Sequence, residues 1–347
     1  MSDVGAAIGL YIHIPFCTRK CPYCDFYSVP FDEDLADKYC DAICKGGILP
    51  PAVAFDTVYL GGGTPSLLGA KRILRMLSIV NITDDAEITI EVNPASCTGL
   101  EQLHNGGINR ISVGVQSLDD RELKSLGRLH TAEEARSCII DAHKAGFKRI
   151  SADLMLGIEN QTLSSLKASV EGLAKLPLDH ISAYILTPHA DEEKAASLYL
   201  AAVELLAANG FEQYEISNFA RSGSVSRHNL KYWRCEPYIG VGPSAHSFYG
   251  GRRSHFPNDT EAFINSENPL TLSVPDGPGG SFEEYAMLRL RLTEGLKSPE
   301  EMLARAVGIA ALSTPPLVQV DGDTIRLTPR GFLLSNAIIA ELLVNRN

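Results

Sequence analysis

Six short runs of β-branched and aromatic residues recur through the first two-thirds of this chain, and they restrict its fold more than any other feature. They are GLYIHIP (9–15), DTVYLGG (56–62), EITIEVNP (87–94), RISVGVQ (110–116), RISADLMLG (149–157) and HISAYIL (180–186). Runs of this length and type suit strands of a parallel sheet, buried on both faces. Helical patterns lie between them: DEDLADKYCDAICKGG, AKRILRMLSIV, TAEEARSCIIDAHKAG and TLSSLKASVEGLAKL. The last two open on Thr131 and Thr162, plausible N-caps, and Gly146 suits the residue just past a helix end. Such alternation implies right-handed βαβ units. Six units fall short of a closed eight-fold barrel, so the expected α/β fold is a partial (β/α)6 TIM-like barrel. A doubly wound open sheet is the alternative.

Beyond the last run, a helix is expected over 198–209, then a strand beginning in FEQYEISNFA. From about residue 250 the chain turns rich in Gly, Pro and Asp. Helices then flank a candidate hairpin, LVQVDGDTIRLT, with Asp-Gly at its turn. The expected plan is a barrel over 1–220, a linking segment over 221–275 and a small α+β, winged-helix-like domain over 276–347. A net charge of −11 argues against a generally nucleic-acid-binding surface. The start, MSDVGAAIGL, has no basic segment leading into a long apolar run, so no secretory leader is expected. No stretch nears 18 uninterrupted apolar residues, so no stable membrane insertion is expected and the chain reads as cytoplasmic.

Three of the eight cysteines, Cys17, Cys21 and Cys24, form a C-x-x-x-C-x-x-C pattern on one short loop. Cys40, Cys44, Cys97, Cys138 and Cys235 are isolated and read as buried small hydrophobes, since a reducing compartment disfavours disulfides. Three thiolates leave one iron of a [4Fe–4S] cluster open to a small molecule. Zinc, closed by a distant His, is the other way to complete such a set. Right after the second run comes GGGTPS (61–66), where glycines allow close backbone approach and Thr64 offers a hydroxyl. Glu91, Asn93, Gln116 and Asp153 lie at or near the ends of later runs. In βα folds those ends share one face, the usual place for a site. Further on, SRHNLKYWRCEPYIGVGPSAHS (226–247) combines His228, the only Trp, several tyrosines and a Gly-rich turn near His246. Histidine is a common axial ligand of heme iron, and an aromatic surface suits a flat macrocycle; a hydrogen bond within a loop is the plainer role for His228. His13 reads as a structural group near the cysteine loop.

Taken together, YIHIPFCTRKCPYCDF, GGGTPS, IEVNP, SVGVQS, ADLMLG, EISNFA and HNLKYW resemble the radical S-adenosylmethionine (SAM) superfamily, in its oxygen-independent coproporphyrinogen III oxidase-like branch. The resemblance runs over about residues 9–345. It implies a [4Fe–4S] cluster on Cys17, Cys21 and Cys24, with SAM on the open iron. Matching the family motifs position by position implies Tyr11 and Tyr23 beside the cluster, and Gly62, Gly63 and Thr64 at the methionine end. Glu91, Gln116, Arg128 and Asp153 would hold the charged and ribose groups, with Ile185 and His246 on the adenosine side. Two relatives differ in function. The oxidative decarboxylase of porphyrin biosynthesis carries a further Cys where this chain has Phe26, and a longer N-terminal segment. The heme chaperones carry H-N-x-x-Y-W, here HNLKYW, whose histidine is implicated in heme binding. The resemblance therefore implies a heme chaperone that binds heme through His228 and transfers it to acceptor hemoproteins, and leaves open whether it is also an enzyme. The decarboxylase is the alternative. The segment after Pro188 looks shortened against the family, and the C-terminal domain compact.

Overall fold

The computed structural model describes residues 8–45, 47–50, 52–187 and 191–344. The start read for a leader and part of the shortened segment after Pro188 lie outside the described residues.

The six runs form six neighbouring parallel strands: β1 (Ile8–Ile14), β4 (Phe55–Gly62), β5 (Ile82–Val92), β6 (Arg110–Gln116), β7 (Arg149–Leu156) and β8 (His180–Ile185). The short pair β2 (Phe16–Cys17) and β3 (Val29–Pro30) falls between β1 and β4. Helices α1 (Glu33–Ile43), α2 (Gly69–Leu77), α3 (Leu100–Asn105), α4 (Asp120–Ser125), α5 (Ala132–Lys144), α6 (Leu163–Ala174) and α7 (Glu192–Ala208) fill the crossovers and follow β8. Thr131 and Thr162 close capping boxes at the starts of α5 and α6, and Gly146 takes φ +110° after α5. The strand positions explain the partial barrel. Leu10, Ile12 and Ile14 are buried in the apolar core, while the intervening Tyr11 and His13 bond to each other on the opposite face.

Three elements differ from expectation. β5 begins at Ile82, ahead of EITIEVNP, because Phe55 pairs with Ile82 before a register shift. α7 begins at Glu192, six residues early, where Asp191 accepts from the Lys194 amide as its N-cap. Residues 226–247 read as a loop with a Gly-rich turn, yet they build α8 (Arg227–Trp233), β11 (Tyr238–Val241) and the start of β12 (His246–Tyr249). β11 lies parallel to β1 and extends the barrel sheet by a seventh parallel strand. Before it, on the opposite side, β10 (Asn218–Ala220) pairs antiparallel with β8, and β9 (Glu212–Gln213) pairs antiparallel with β10 at the sheet edge. β12, β13 (Arg252–His255) and β14 (Val274–Pro278) continue antiparallel beyond β11, with α9 (Thr260–Asn265) between β13 and β14. The sheet order is β14-β13-β12-β11-β1-β4-β5-β6-β7-β8-β10-β9.

After α10 (Phe282–Arg289) comes a separate three-stranded sheet of β15 (Leu296–Lys297), β16 (Val318–Asp321) and β17 (Thr324–Leu327), with α11 (Glu300–Ala310), α12 (Pro329–Leu333) and α13 (Ser335–Leu343). β16 and β17 form the expected hairpin, with Gly322 at φ +59° in its turn. The isolated cysteines differ from expectation in two ways: of those left free, Cys40 is buried but Cys44 and Cys235 are only partly so. Cys97 after β5 and Cys138 on α5 are joined by a disulfide, because the turn packs on that helix and brings the two Cα atoms to 6.0 Å.

Candidate functional site

β1 runs out at Ile14 into the loop of three cysteines, whose two ends are tied by the β2–β3 ladder: Phe16 pairs Val29 and Cys17 pairs Pro30. Cys17, Cys21 and Cys24 are all partly exposed. Thr64 Oγ1 lies 3.6 Å from Cys17 Sγ, and Arg128 Nη1 donates to Cys21 Sγ at 3.8 Å. Among the described residues, no three His, Cys, Asp or Glu side chains converge on the position of one metal ion. One zinc needs every sulfur at about 2.3 Å from a single point. A cuboidal cluster takes one thiolate per iron, so its sulfurs stand farther apart. Three thiolates on one loop, one per iron, suit the cluster.

β4 delivers Gly61, Gly62, Gly63 and Thr64 beneath this loop. Gly62 holds φ +112°, and a Cβ on Gly63 would stand 2.5 Å from the Phe16 carbonyl oxygen. The loop therefore rests directly on glycine backbone. Next to it, β5 presents Glu91, which accepts from Tyr59 Oη at 2.8 Å and from the Gly62 amide at 3.1 Å. Burial pushes the Glu91 carboxyl up to about 7, with the nearby Asp153 adding to the shift. Asp153 on β7 accepts from Ser112 Oγ at 3.3 Å and is pushed up by burial to about 6. Gln116 ends β6 at φ +68°, at a shift in the β6–β7 register. A non-glycine residue held there stores strain, which clusters at binding sites. Arg128 donates through Nη2 to the Gly114 carbonyl at 3.0 Å and through Nη1 to Tyr23 Oη at 3.3 Å. Its Nε is buried without a partner. That orphaned donor beside the cysteine loop fits a carboxylate. Burial pushes the Tyr23 phenol up to about 12. Tyr11 Oη bonds His13 Nδ1 at 3.0 Å, and Tyr27's carbonyl bonds His13 Nε2, so His13 is structural as expected. A cavity of ≈ 170 Å³ lies between loop and rim, lined by Thr18, Cys21, Thr64, Asn93 and Arg128 among others. Another, of ≈ 310 Å³, opens at the other end of the strands, by Asp85, Lys148 and Arg227. In βα folds that end supports stability and not chemistry.

The structure thus gathers Tyr11, the three cysteines, Tyr23, Gly62–Thr64, Glu91, Gln116, Arg128 and Asp153 around one end of the barrel. Ile185 ends β8, half-buried. His246 lies on β12, exposed and stacked on His255 at 5.4 Å. His228 is placed differently from an open ligand. It is fully buried on α8; its Nδ1 bonds Thr57 Oγ1 at 2.8 Å and its Nε2 bonds Tyr232 Oη at 2.7 Å. Its ring stacks on Tyr59 at 5.2 Å, and burial lowers its pKa to about 3. The neutral ring spends both nitrogens on neighbours. Tyr59, the phenol that positions Glu91, was missed in the sequence, although its place two residues before Gly61 puts it on the same face of β4. Glu215 in EISNFA was missed too; it is fully buried, and burial pushes its carboxyl up to about 7.

Residues 11–173 match the family described as the radical SAM superfamily. The chain is 31% identical to the heme chaperone HemW of Bacillus subtilis, the alignment covering 96% of this chain and 98% of that protein. It is 35% identical to HemW of Escherichia coli, covering 83% of each. It is also 37% identical to bovine radical S-adenosyl methionine domain-containing protein 1, mitochondrial, over 68% of this chain but only 60% of that protein. In fold it is similar to the coproporphyrinogen III oxidase of E. coli, a radical SAM enzyme, with a TM-score of 0.80, 22% identity, and coverage of 97% of this chain and 90% of that one. The class is a radical SAM barrel, and its cofactors are a [4Fe–4S] cluster and SAM. Within that class, the chain belongs to the HemW family.

Proposed function

We propose that this protein binds heme and transfers it to acceptor hemoproteins. The likeness to HemW across nearly the full length of both chains carries the reading. Phe26 supports it against the decarboxylase, standing 62% exposed where a further cysteine would be needed. In this reading Cys17, Cys21 and Cys24 hold the cluster, and Arg128 Nε takes the SAM carboxylate. Glu91 and Asp153 serve the ammonium and ribose, Gly62, Gly63 and Thr64 the methionine end, and Tyr11, Tyr23, Gln116, Ile185 and His246 the remaining wall. His228 then supports that wall through Tyr59 and not by direct ligation. The reading also takes 1–220 as the barrel, 221–275 as its connection and 276–347 as the C-terminal domain, in a cytoplasmic protein. No helix among the described residues is long and apolar enough to cross a membrane.

The test is anaerobic reconstitution with iron and sulfide, followed by hemin titration and transfer to an apo-hemoprotein, with coproporphyrinogen turnover assayed in parallel. Retention and transfer without turnover are expected; conversion to the divinyl product would overturn the reading.

Two further outcomes follow from the geometry. Gly63→Ala drives a Cβ into the Phe16 carbonyl, against backbone that cannot swing aside, so the cysteine loop must lift. SAM affinity, read by isothermal titration, is expected to fall by at least about tenfold, or 1.4 kcal/mol. The second concerns pH. Glu91 is raised above its ordinary value, so it stays protonated until pH passes about 7. An ammonium binds its ionised form, so SAM affinity is expected to rise between pH 6 and 8 with proton release; Glu91→Gln should flatten that rise.

A further inference from the structure

Just past Glu91 the chain turns through residues 93–97, and three residues of that turn, Asn93, Ala95 and Ser96, line the ≈ 170 Å³ cavity beside the cysteine loop. The turn is fastened on two sides. Toward the Gly62–Thr64 backbone, the hydroxyls of Ser96 and Ser66 share a hydrogen bond of 2.8 Å. On the other side, Cys97 is joined to Cys138 on α5. That bond spans a sequence separation of 41, and the loop it closes carries Gln116 and Arg128. One covalent link therefore ties the β5 edge of the cavity to α5, and its loop holds two more residues of the same wall.

The two sulfurs differ in access. Cys138 is 3% exposed and sits in the apolar core with Ala135 and Ile139. Cys97 is only partly buried, and the next residues, Thr98 and Gly99, are exposed. Thiol–disulfide exchange proceeds by attack at a reachable sulfur through a mixed disulfide, so it enters this pair at Cys97. In a reducing compartment such a bond is seldom a permanent staple; it forms and breaks with the redox state of its surroundings. Its position matters because a wall fixed before the ligand arrives costs less to order on binding.

We propose that Cys97 is a site of thiol–disulfide exchange with low-molecular-weight thiols and disulfides, and that the Cys97–Cys138 bond strengthens SAM binding by fastening the turn that walls its cavity. The inference rests on the reading above that SAM occupies this cavity. In the oxidising direction the Cys97 thiolate attacks a small disulfide, RSSR, and releases one RS⁻. The Cys138 thiolate then attacks the Cys97 sulfur and releases the second. Two protein thiols and one RSSR thus become one protein disulfide and two RSH, the two thiol protons passing to the released thiolates. Reduction is the same sequence reversed, with RS⁻ attacking Cys97.

The reconstituted full-length protein is equilibrated anaerobically in glutathione buffers of rising oxidised fraction, then alkylated and read by peptide mass. SAM affinity is titrated on the same samples, with iron per chain measured to match cluster content. The pair is expected to pass from two alkylated thiols to one disulfide. Cys138→Ala should collect a glutathione mixed disulfide on Cys97, whereas Cys97→Ser should leave Cys138 unmodified. At equal iron, SAM is expected to bind the oxidised form about fivefold more tightly, the worth of about one immobilised side chain. Cys97→Ser should stay at the weaker affinity in every buffer. A pair locked in one state across all buffers would overturn the exchange, and equal SAM affinity in the two states would overturn the fastening. Absence of SAM binding in both states would overturn the SAM-site reading itself, and this proposal with it.

Discussion

Cys21→Ala is expected to emerge from anaerobic reconstitution colourless, with iron falling from about four atoms per chain to well below one. The expectation follows from counting ligands. Three thiolates already leave one iron open, and removal of one of them leaves a cube held at two corners. Cys21 is the most sensitive of the three, because Arg128 Nη1 lies 3.8 Å from its sulfur and links the cluster edge to the Gly114 carbonyl. Losing the thiolate strips that guanidinium of an acceptor as well. Cys40→Ala is the control. Cys40 is fully buried, and burial pushes its thiol up to about 12, so it behaves as a packing residue. That variant should keep the brown charge-transfer absorption and the iron. Equal iron in Cys21→Ala and wild type would remove Cys21 from the cluster.

The parts of the fold that could be read in the sequence are those whose cause is local. The six parallel strands announce themselves because both faces are covered, and Thr131 and Thr162 announce their helices because a capping hydroxyl acts within three residues. β11 escaped notice because it is four residues long, contains Gly240, and is stabilised by β1, more than two hundred residues away. The Cys97–Cys138 link escaped for the same reason: its 41-residue separation carries no pattern. At the site, the motif residues were legible as a set, whereas their exposure was not. HNLKYW shows a histidine beside aromatics, which suits a heme ligand equally with a buried, stacked ring. Only the packing of α8 against Thr57 and Tyr59 distinguishes the two.

His228→Ala is expected to lower stability by about 4 kcal/mol at pH 7, combining a cavity left by a buried ring with two orphaned hydroxyl partners. Thr57 Oγ1 and Tyr232 Oη would both lose their partner, and Tyr59 would lose the ring it stacks on. The pH dependence separates this from other causes of instability. His228 is held neutral in the fold with its pKa lowered to about 3, against an ordinary 6.5. Below pH 6.5 the unfolded chain takes up a proton that the folded chain refuses, so this residue's contribution is present above that pH and is lost progressively toward pH 3. At pH 5 the lost contribution is about 2 kcal/mol, and the gap between wild type and His228→Ala should narrow by that amount. Denaturant unfolding at pH 7 and pH 5 reads the difference directly. A gap unchanged between the two would mean that the ring titrates normally and is therefore open to solvent or to an iron. The same variant then discriminates between the two roles in heme binding. A supporting ring costs stability and distorts Glu91 through Tyr59, so SAM affinity falls together with heme affinity. A direct ligand would cost heme affinity alone, and free imidazole would restore it.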